Sequence, residues 1–413
     1  MDLVVRQARI AEAGPLVDIG CNGGTIAAVQ TSPSELSGAT VLDAGGRVVL
    51  PGLVEPHIHL DKALLADRAI NRSGTLAEAI QVTGAAKASF SRADISVRAE
   101  KTLRMCLRHG TTLLRAQTEF DPALGLLGLE VLLELKAAYA DLVDIQVVAF
   151  PQEGIHQRPG TEDLFHEALR MGADVVGGVP YNDRSAHEHI DTCFALARQY
   201  GRSLSFHQDF ADDARNLSID YLATRTIDAG MQGRVEIGHA TALGALPPER
   251  LARVAERLCT ADISVVTLPM TDLHLGGRHD THNVRRALAP VRALLAAGVN
   301  VAAGANNIRN AFTPYGTGDP LLTAFLLVST AHLGGADTLP RVVDLVTHNA
   351  ARAIGRGADY GVRPGARADL VVLETSRYAD AAIDLPGRRW VVKSGRVSFS
   401  SETSSRWHLG PSA

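Results

Sequence analysis

The stretch of sequence that decides the fold is Leu53-Val54-Glu55-Pro56-His57-Ile58-His59-Leu60-Asp61-Lys62. It follows an apolar run that ends in Pro51-Gly52, and it places two histidines one residue apart. Side chains alternate between the two faces of a strand, so His57 and His59 would project from the same face. Two neutral imidazoles on one rigid face suit a transition metal. The alternative is a histidine pair on the polar face of an edge strand, and the rest of the chain decides between the two.

The composition is that of an ordinary globular protein. The chain has 413 residues, of which 46% are hydrophobic and 21% charged, and this balance argues against disorder. The formal net charge is −4 and there is no dense basic run, so neither nucleic acid nor an acidic membrane is predicted as a partner. The sequence shows no signal peptide, no apolar run that could span a bilayer and no paired spacing of its four cysteines. We therefore expect a soluble, cytoplasmic protein with reduced thiols.

From residue 53 onward, apolar segments typical of buried strands alternate with helical segments. Eight strands, each followed by a helical stretch, indicate an α/β fold of the (β/α)₈ TIM-barrel type rather than a doubly wound sheet. A glycine directly after a helical stretch, such as Gly172 or Gly201, is typical of a helix C-terminus. The predicted strands are 53–60, 112–117, 143–150, 175–179, 204–207, 235–239, 263–268 and 299–303. The predicted helices are 97–109, 128–140, 162–171, 186–200, 218–229, 248–259, 284–297, 321–333 and 339–354.

The two ends of the chain have a different character. Short strands punctuated by glycine and asparagine fill the first 50 residues, and strands return near residues 370 and 390. We predict that residues 1–50 and 358–413 form one small β-sandwich domain, and that residues 51–357 form the barrel that carries the chemistry.

Histidines stand at the ends of several predicted strands. In a barrel of this type the chemistry lies at the C-terminal ends of the strands. His57 and His59 end the first strand, His207 the fifth and His239 the sixth, whereas most other strand ends carry apolar groups. Several nitrogen ligands with an open position fit catalytic Zn²⁺ or Fe²⁺, either of which lowers the pKa of bound water. We predict one divalent metal ion here, with satisfied core histidines as the alternative for His207 and His239. Most of the other histidines are expected in solvated segments, and they include His187, His189, His279 and His282.

At this point the pattern resembles the amidohydrolase superfamily, and within it the branch of the cytosine deaminases and N-isopropylammelide hydrolases. The resemblance covers nearly the whole chain and implies a hydrolase acting on carbon–nitrogen bonds other than peptide bonds. The segments that carry it are residues 51–62, 144–154, 172–178, 273–278, 314–319 and 364–372.

The resemblance implies roles position by position. His57, His59 and His207 correspond to metal ligands, and His239 corresponds to a ligand or to the group that orients the activated water. Gln152 corresponds to the glutamine that hydrogen-bonds the pyrimidine edge in cytosine deaminases.

The sequence departs from the family at two positions. Phe210 stands where the family has a glutamate that shuttles protons to the ring nitrogen. Asn306 stands where the family has an aspartate that binds the metal and takes the proton from water. An amide accepts no proton near neutral pH, and general-base catalysis typically contributes about 10²–10⁴-fold. Without replacements, we therefore expect a poor deaminase. Phe210 is expected to act as a hydrophobic wall or stacking face for a planar ring.

Replacement groups are available near the strand ends. We predict a catalytic role for Asp209 beside Asn306 and His239, and substrate-binding roles for Lys62 and Glu119. Helix capping for the carboxylates and a surface position for the lysine are the alternatives. Other carboxylates in the same region are Asp212, Asp272 and Asp319.

Three functions follow from these residues. The first is a metal-dependent amidohydrolase acting on a C–N bond of a cyclic amide, amidine or aminated heterocycle, favoured by the histidines and Gln152. The second is a non-hydrolytic cyclase, isomerase or lyase on the same scaffold, favoured by Asn306 and Phe210. The third is a catalytically silent relative that binds a ligand. The expected partner is a small heterocyclic or cyclic amide substrate, and the sequence leaves a homo-oligomer open.

Overall fold

The computed structural model describes residues 1–404, 406 and 408. The chain divides into two compact units, Met1–Gly52 with Val362–Ala413, and Leu53–Gly361. The small domain predicted to end at residue 413 includes residues 405, 407 and 409–413, which lie outside the described residues. Among the described helices, none is long and apolar enough to cross a membrane.

Strands and helices alternate along most of the chain. The strands are β1 (Leu3–Ala8), β2 (Val17–Asn22), β3 (Thr25–Thr31), β4 (Thr40–Asp43), β5 (Val49–Pro51), β6 (Leu53–His59), β7 (Thr111–Glu119), β8 (Asp144–Phe150), β9 (Val175–Gly178), β10 (Ser203–Gln208), β11 (Val235–His239), β12 (Ser264–Thr267), β13 (Val301–Ala303), β14 (Leu370–Leu373), β15 (Arg388–Lys393) and β16 (Arg396–Ser400). The α-helices are α1 (Leu76–Ala86), α2 (Arg92–Arg108), α3 (Leu127–Ala138), α4 (Thr161–Met171), α5 (Ala186–Tyr200), α6 (Ile219–Asp228), α7 (Pro248–Thr260), α8 (Pro269–Leu275), α9 (Val291–Ala296), α10 (Pro320–Thr330), α11 (His348–Ala353) and α12 (Asp380–Ile383). Short 3₁₀ segments are Lys87–Ser89, Pro180–Asn182, Thr241–Ala245 and Leu339–Val346.

The larger unit is built on eight parallel strands, β6 to β13, which are neighbours in chain order. Asn306, just after β13, joins the last strand to the first. Its N–H donates to the His57 carbonyl at 2.8 Å, and the His59 N–H donates to the Asn306 carbonyl at 2.8 Å. This bridge closes the sheet, and the predicted (β/α)₈ barrel is confirmed. All eight predicted strands are present with small shifts at their ends.

The smaller unit is a β-sandwich of two four-stranded sheets. One sheet has the order β3-β2-β1-β4 and the other the order β16-β15-β14-β5. Leu3, Ile19 and Ile26 of the first sheet share a buried cluster with Leu370 and Val372 of the second. The predicted small sandwich is therefore confirmed as part of the fold class.

Two predicted helices are wrong in part. The segment 284–297 is helical only over α9, because proline at position 290 disfavours helical backbone in the residue before it. The segment 339–354 is a 3₁₀ stretch followed by α11. The break falls at Thr347, whose φ and ψ of −130° and −101° are not helical.

An apolar cluster lies on the C-terminal side of the barrel strands, and we call it the mouth cluster. It includes residues from the segments after β6, β10 and β13 and from helices α1 and α8. Helix α1, which the sequence analysis did not predict, is capped at its N-terminus by Thr75, whose side chain accepts a hydrogen bond from the Glu78 N–H. The buried members of the mouth cluster are Leu65, Ala69, Ala79, Phe210, Leu275, Ala311 and Phe312.

Candidate metal centre and active site

Strands β6 and β10 bring three buried histidines together. The Nε2 atom of His207 lies 3.2 Å from Nε2 of His57 and 3.2 Å from Nε2 of His59. One ligand atom from each ring falls within 4.8 Å of the other two. Alternation along β6 places its two histidines on one side, as predicted. The three Nε2 atoms therefore converge on one point inside the barrel.

The chemistry of this donor set fits a divalent metal ion. Burial lowers the pKa of His57, and it lowers the pKa values of His59 and His207 well below the ordinary value. The rings are therefore neutral, and a neutral imidazole offers one lone pair to a metal. Three converging nitrogens repel unless a proton or a cation lies between them, and Zn²⁺ and Fe²⁺ both accept several imidazole ligands.

A carboxylate lies beside the His57 ring, and an arginine in turn holds that carboxylate. Glu236 Oε1 lies 3.6 Å from His57 Nδ1, and Arg115 Nη1 donates to Glu236 Oε2 at 3.1 Å. Gln117 Nε2 lies 3.3 Å from the same His57 nitrogen. Such partners fix the ring orientation of a metal-binding histidine. Sequence reasoning missed Arg115 and Glu236, although a charge inside an otherwise apolar strand was the available signal.

His239 stands at the end of β11, beside the three histidines. Its ring centroid lies 5.6 Å from that of His207 and 6.2 Å from that of His57. Asp272 Oδ1 lies 2.6 Å from His239 Nδ1, and the same carboxylate accepts a hydrogen bond from the Leu268 N–H. The contact fixes which ring nitrogen carries the proton, because a carboxylate accepts from an N–H. Nε2 is left as the nitrogen that can accept a proton.

Phe210 and Asn306, the two departures from the family pattern, both lie at the centre. Phe210 stacks on the His239 ring with a centroid distance of 4.0 Å and an interplanar angle of 8°. Asn306 bonds through its backbone to His57 and His59, and its Oδ1 is buried without a hydrogen-bond partner among the described residues. The structure thus places an aromatic face and a buried amide oxygen beside the histidines, at the two positions for which the resemblance implies carboxylates.

Three predicted or suspected carboxylates serve the backbone instead. Asp209 accepts hydrogen bonds from the Ser218 N–H, the Ser218 hydroxyl and the Ile219 N–H, all at 3.1 Å. Asp212 accepts from the Gly277 N–H, and Asp319 accepts from the Leu321 N–H at the start of α10. These contacts tie the three carboxylates to nearby backbone N–H groups, and the catalytic role predicted for Asp209 stays a prediction.

The remaining predicted substrate-binding residues lie together in one buried layer. Lys62 Nζ is 3.4 Å from Gln152 Oε1 and 3.9 Å from Glu119 Oε2. The Phe150 ring lies between this layer and the three converging histidines. It stacks on His207 at 4.7 Å, and its centroid is 5.6 Å from Lys62 Nζ.

The chain is similar in sequence and in structure to known amidohydrolases and deaminases. The sequence model described as "Amidohydrolase family" matches residues 40–399. N-isopropylammelide isopropyl amidohydrolase from Pseudomonas sp. (strain ADP) is 29% identical over 414 residues, which cover 97% of this chain and 98% of the relative. The crystal structure of 5-methylcytosine deaminase from Klebsiella pneumoniae, liganded with phosphonocytosine, matches with a TM-score of 0.93 at 32% identity, covering 98% of this chain and 100% of that chain. N-isopropylammelide isopropylaminohydrolase from Burkholderia multivorans matches with a TM-score of 0.85 at 33% identity, covering 96% and 98%.

Proposed function

This chain belongs to the amidohydrolase family, and on that premise we propose that it is a metal-dependent hydrolase of a C–N bond in a planar heterocycle or cyclic amide. The family and the enzyme class predicted from the sequence are confirmed, because its relatives are hydrolases acting on C–N bonds. The observation that carries the proposal is the convergence of the Nε2 atoms of His57, His59 and His207.

These three histidines would hold one divalent ion, Zn²⁺ or Fe²⁺. A bound ion of this kind polarises the substrate and lowers the pKa of a water molecule. The protein contributes the buried, neutral ligands and the Glu236–Arg115 pair that fixes His57.

His239 is our candidate for the proton acceptor, because Asn306 cannot accept a proton. It was predicted as a ligand or as the group that orients water, and the 2.6 Å contact with Asp272 favours the second role. A carboxylate that holds Nδ1–H leaves Nε2 basic and stabilises the imidazolium that forms. His239 would take the proton from the attacking water and return it to the departing nitrogen.

The walls of the site suit a flat ring. Phe210 lies parallel to His239 and belongs to the mouth cluster, so it offers an aromatic face in place of an acid. Gln152 would bind a polar edge of the ring. Because the shuttle glutamate is absent, we expect a turnover below that of a complete deaminase by about 10²–10⁴-fold.

The test is a metal analysis of the purified protein combined with assays of ammonia and amine release from aminopyrimidines, triazines and cyclic amides in ¹⁸O-water. We expect about one divalent ion per chain by the ligand count, chelator-sensitive release and incorporation of solvent oxygen. Protein that carries no divalent ion, or activity indifferent to chelators, would contradict the proposal.

A non-hydrolytic reaction on the same scaffold is the second candidate. The specific observation in its favour is the Phe210–Asn306 pair, which removes both carboxylates associated with hydrolysis in the family. Consumption of a substrate without incorporation of solvent oxygen would favour this candidate.

A further inference from the structure

A small cavity lies beside the barrel mouth, outside the histidine centre, and we call it the rim cavity. Its volume is about 230 Å³. The lining residues come from three segments, 66–74 after β6, 274–278 around the end of α8, and 310–314 after β13. Ala69 and Ala311 belong both to this lining and to the mouth cluster, so the cavity lies directly outside that apolar layer.

The charged side chains that line the rim cavity are two arginines, Arg72 and Arg278, and no carboxylate of the described chain lines it. Neither guanidinium forms an ion pair with a described residue, whereas Arg285 Nε lies 2.6 Å from Asp280 Oδ2. Glu78 lies near Arg72, but its oxygens accept hydrogen bonds from the N–H groups of residues 72 and 73, at 3.1 and 2.6 Å. Two like charges on one concave surface create a positive potential that attracts an anion.

The uncharged polar side chains of the lining are used within the protein. Asn71 Nδ2 donates to two backbone carbonyls, both at 3.0 Å. Asn310 Oδ1 accepts from two backbone N–H groups, at 3.0 and 3.1 Å. The Ser73 hydroxyl lies 2.8 Å from the Thr75 hydroxyl. The guanidinium N–H groups are therefore the side-chain donors that this part of the described chain leaves for a ligand.

Arg278 is held in position although it has no anionic partner. Its Nη2 donates to His274 Nδ1 at 3.2 Å. Burial and the charge of Arg278 both lower the pKa of His274, so the ring is neutral and accepts this hydrogen bond. The guanidinium also covers Gly74, where an added Cβ would lie 2.6 Å from Arg278 Cζ. A guanidinium that is fixed but not neutralised is prepared to donate two parallel hydrogen bonds to an oxyanion.

We propose that the rim cavity is an oxyanion-binding site, in which Arg72 and Arg278 hold a carboxylate or phosphate group. A water molecule accounts for about 30 Å³ of liquid, so the cavity has room for the anionic group and for several atoms that carry it. This site goes beyond the proposed hydrolase, because binding an anion at these arginines requires neither the metal ion nor a ring substrate.

The anionic group has two possible sources, an acidic arm on a ring bound in the barrel and a free anion. Helix α8 connects the two places, because Asp272 on this helix contacts His239 while His274 contacts Arg278. An arm that extends from the barrel mouth to the rim cavity would make the arginines select acidic heterocycles.

Titration calorimetry with inorganic phosphate at low ionic strength tests the site, on the wild type and on Arg72→Gln and Arg278→Gln. Each variant should lose phosphate affinity by about tenfold to a hundredfold, the range for hydrogen bonds to charged groups. Arg253→Gln is the matched control, because this exposed arginine on α7 carries the same charge outside the lining. It should bind phosphate as the wild type does.

A second control excludes binding of phosphate at the histidine centre. His207→Ala removes one of the converging imidazoles and leaves the rim cavity intact, so its phosphate affinity should equal that of the wild type. Loss of binding in His207→Ala, unchanged binding in Arg72→Gln and Arg278→Gln, or a wild type that binds no phosphate would overturn the proposal.

Competition experiments distinguish the two sources of the anion. The probes are cytosines whose N1 arm of one to three methylenes ends in a carboxylate, each paired with its neutral amide. If an acid displaces phosphate better than its amide does, and Arg278→Gln abolishes this difference, the site receives an acidic arm. If arginine-dependent phosphate binding is displaced by none of them, the site receives a free anion. Such binding in a protein that hydrolyses no ring would refute the hydrolase proposal alone.

Discussion

Two sites in the barrel unit hold buried histidines, and they differ in what surrounds the ring nitrogens. His189, on α5, has Asp183 Oδ2 at 2.8 Å from Nδ1, and its Nε2 accepts a hydrogen bond from the Val179 N–H at 2.9 Å. The Nε2 atoms of His57, His59 and His207 face one another instead. The rings are similarly buried, but both nitrogens of His189 have protein partners, whereas the Nε2 atoms of the other three histidines face one another. A histidine satisfied by the protein stabilises the fold, and one that is not satisfied marks a place for a ligand.

The lysines repeat this contrast. Lys87 is paired with three carboxylates, whereas Lys62 has one long hydrogen bond to Gln152. In both cases the under-satisfied group lies at the barrel mouth beside Phe150, and the satisfied group anchors a loop or helix. The difference teaches that partner geometry, and not burial or residue type, separates function from structure here.

The strongest test of the comparison replaces one histidine in each site. His207→Ala should reduce divalent metal affinity by more than about a hundredfold and abolish metal-dependent turnover, because it removes a ligand. His189→Ala should keep its metal but lose about 1–3 kcal/mol of unfolding free energy, because Asp183 and the Val179 N–H lose a partner. Metal analysis and denaturant unfolding of both variants provide the readouts. Retained metal in the first variant would break the comparison.

Asn306→Asp sharpens the contrast by adding a carboxylate to the under-satisfied site. If the amide replaced a proton acceptor, turnover of an aminated ring should rise by about 10²–10⁴-fold, and metal affinity should rise with it. Asn307→Asp is a matched control, because Asn307 Oδ1 already accepts a hydrogen bond from Asn310 Nδ2 at 2.7 Å. Kinetics and metal titration of the two variants decide the matter. Loss of the native reaction in Asn306→Asp would identify the amide as a specific adaptation of this site.

The lysines allow a comparison by stability alone. Lys87→Met should cost about 3–5 kcal/mol, because it leaves buried carboxylates uncompensated. Lys62→Met should be neutral or stabilising, since it removes a buried charge that the protein leaves poorly paired. The two midpoints of denaturant unfolding are the measurement. A large loss in Lys62→Met would mean that its ammonium is a structural cation after all.

The sequence predicts the converging histidines, but it does not predict the buried groups that the protein satisfies. Apolar runs predicted the eight strands, and the histidines at the ends of the first and fifth strands predicted the cluster of His57, His59 and His207, because strand ends meet at one rim. The buried groups that the protein satisfies leave no such signal in the sequence. Lys87, Glu119, Asp121 and Glu153 come from three separate segments, and only tertiary packing brings them together.

Local patterns were ambiguous at other positions. The catalytic role of Asp209, which follows the histidine strand, stays a prediction; its oxygens accept hydrogen bonds from backbone N–H groups at the start of α6. Helix α1 was missed because its buried positions are the small residues Ala79 and Thr83, which produce a weak periodicity. Its sequence between β6 and α2 gave no sign of its contribution to the mouth cluster.

The smallest expected effect is the response of the satisfied site to pH. Burial lowers the pKa of His189 despite its contact with Asp183, so the folded protein takes up this proton at lower pH than the unfolded chain. The stability that neutral His189 contributes is complete above its unfolded pKa of about 6.5 and declines as the pH falls below that value. The pKa of Asp183 is also low, because burial is outweighed by hydrogen bonds from His189 and backbone N–H groups, and this adds a further loss under stronger acid.

His189→Gln isolates this response, because glutamine keeps a polar group at the position but does not titrate. Between about pH 6.5 and pH 5, the unfolding midpoint of the wild type should fall more steeply than that of the variant. The contributions of the converging histidines His57, His59 and His207, which are present in both proteins, cancel in the difference. Parallel pH profiles would mean that His189 titrates alike in the folded and unfolded chain, and the distinction between its satisfied ring and the converging rings would lose its energetic basis.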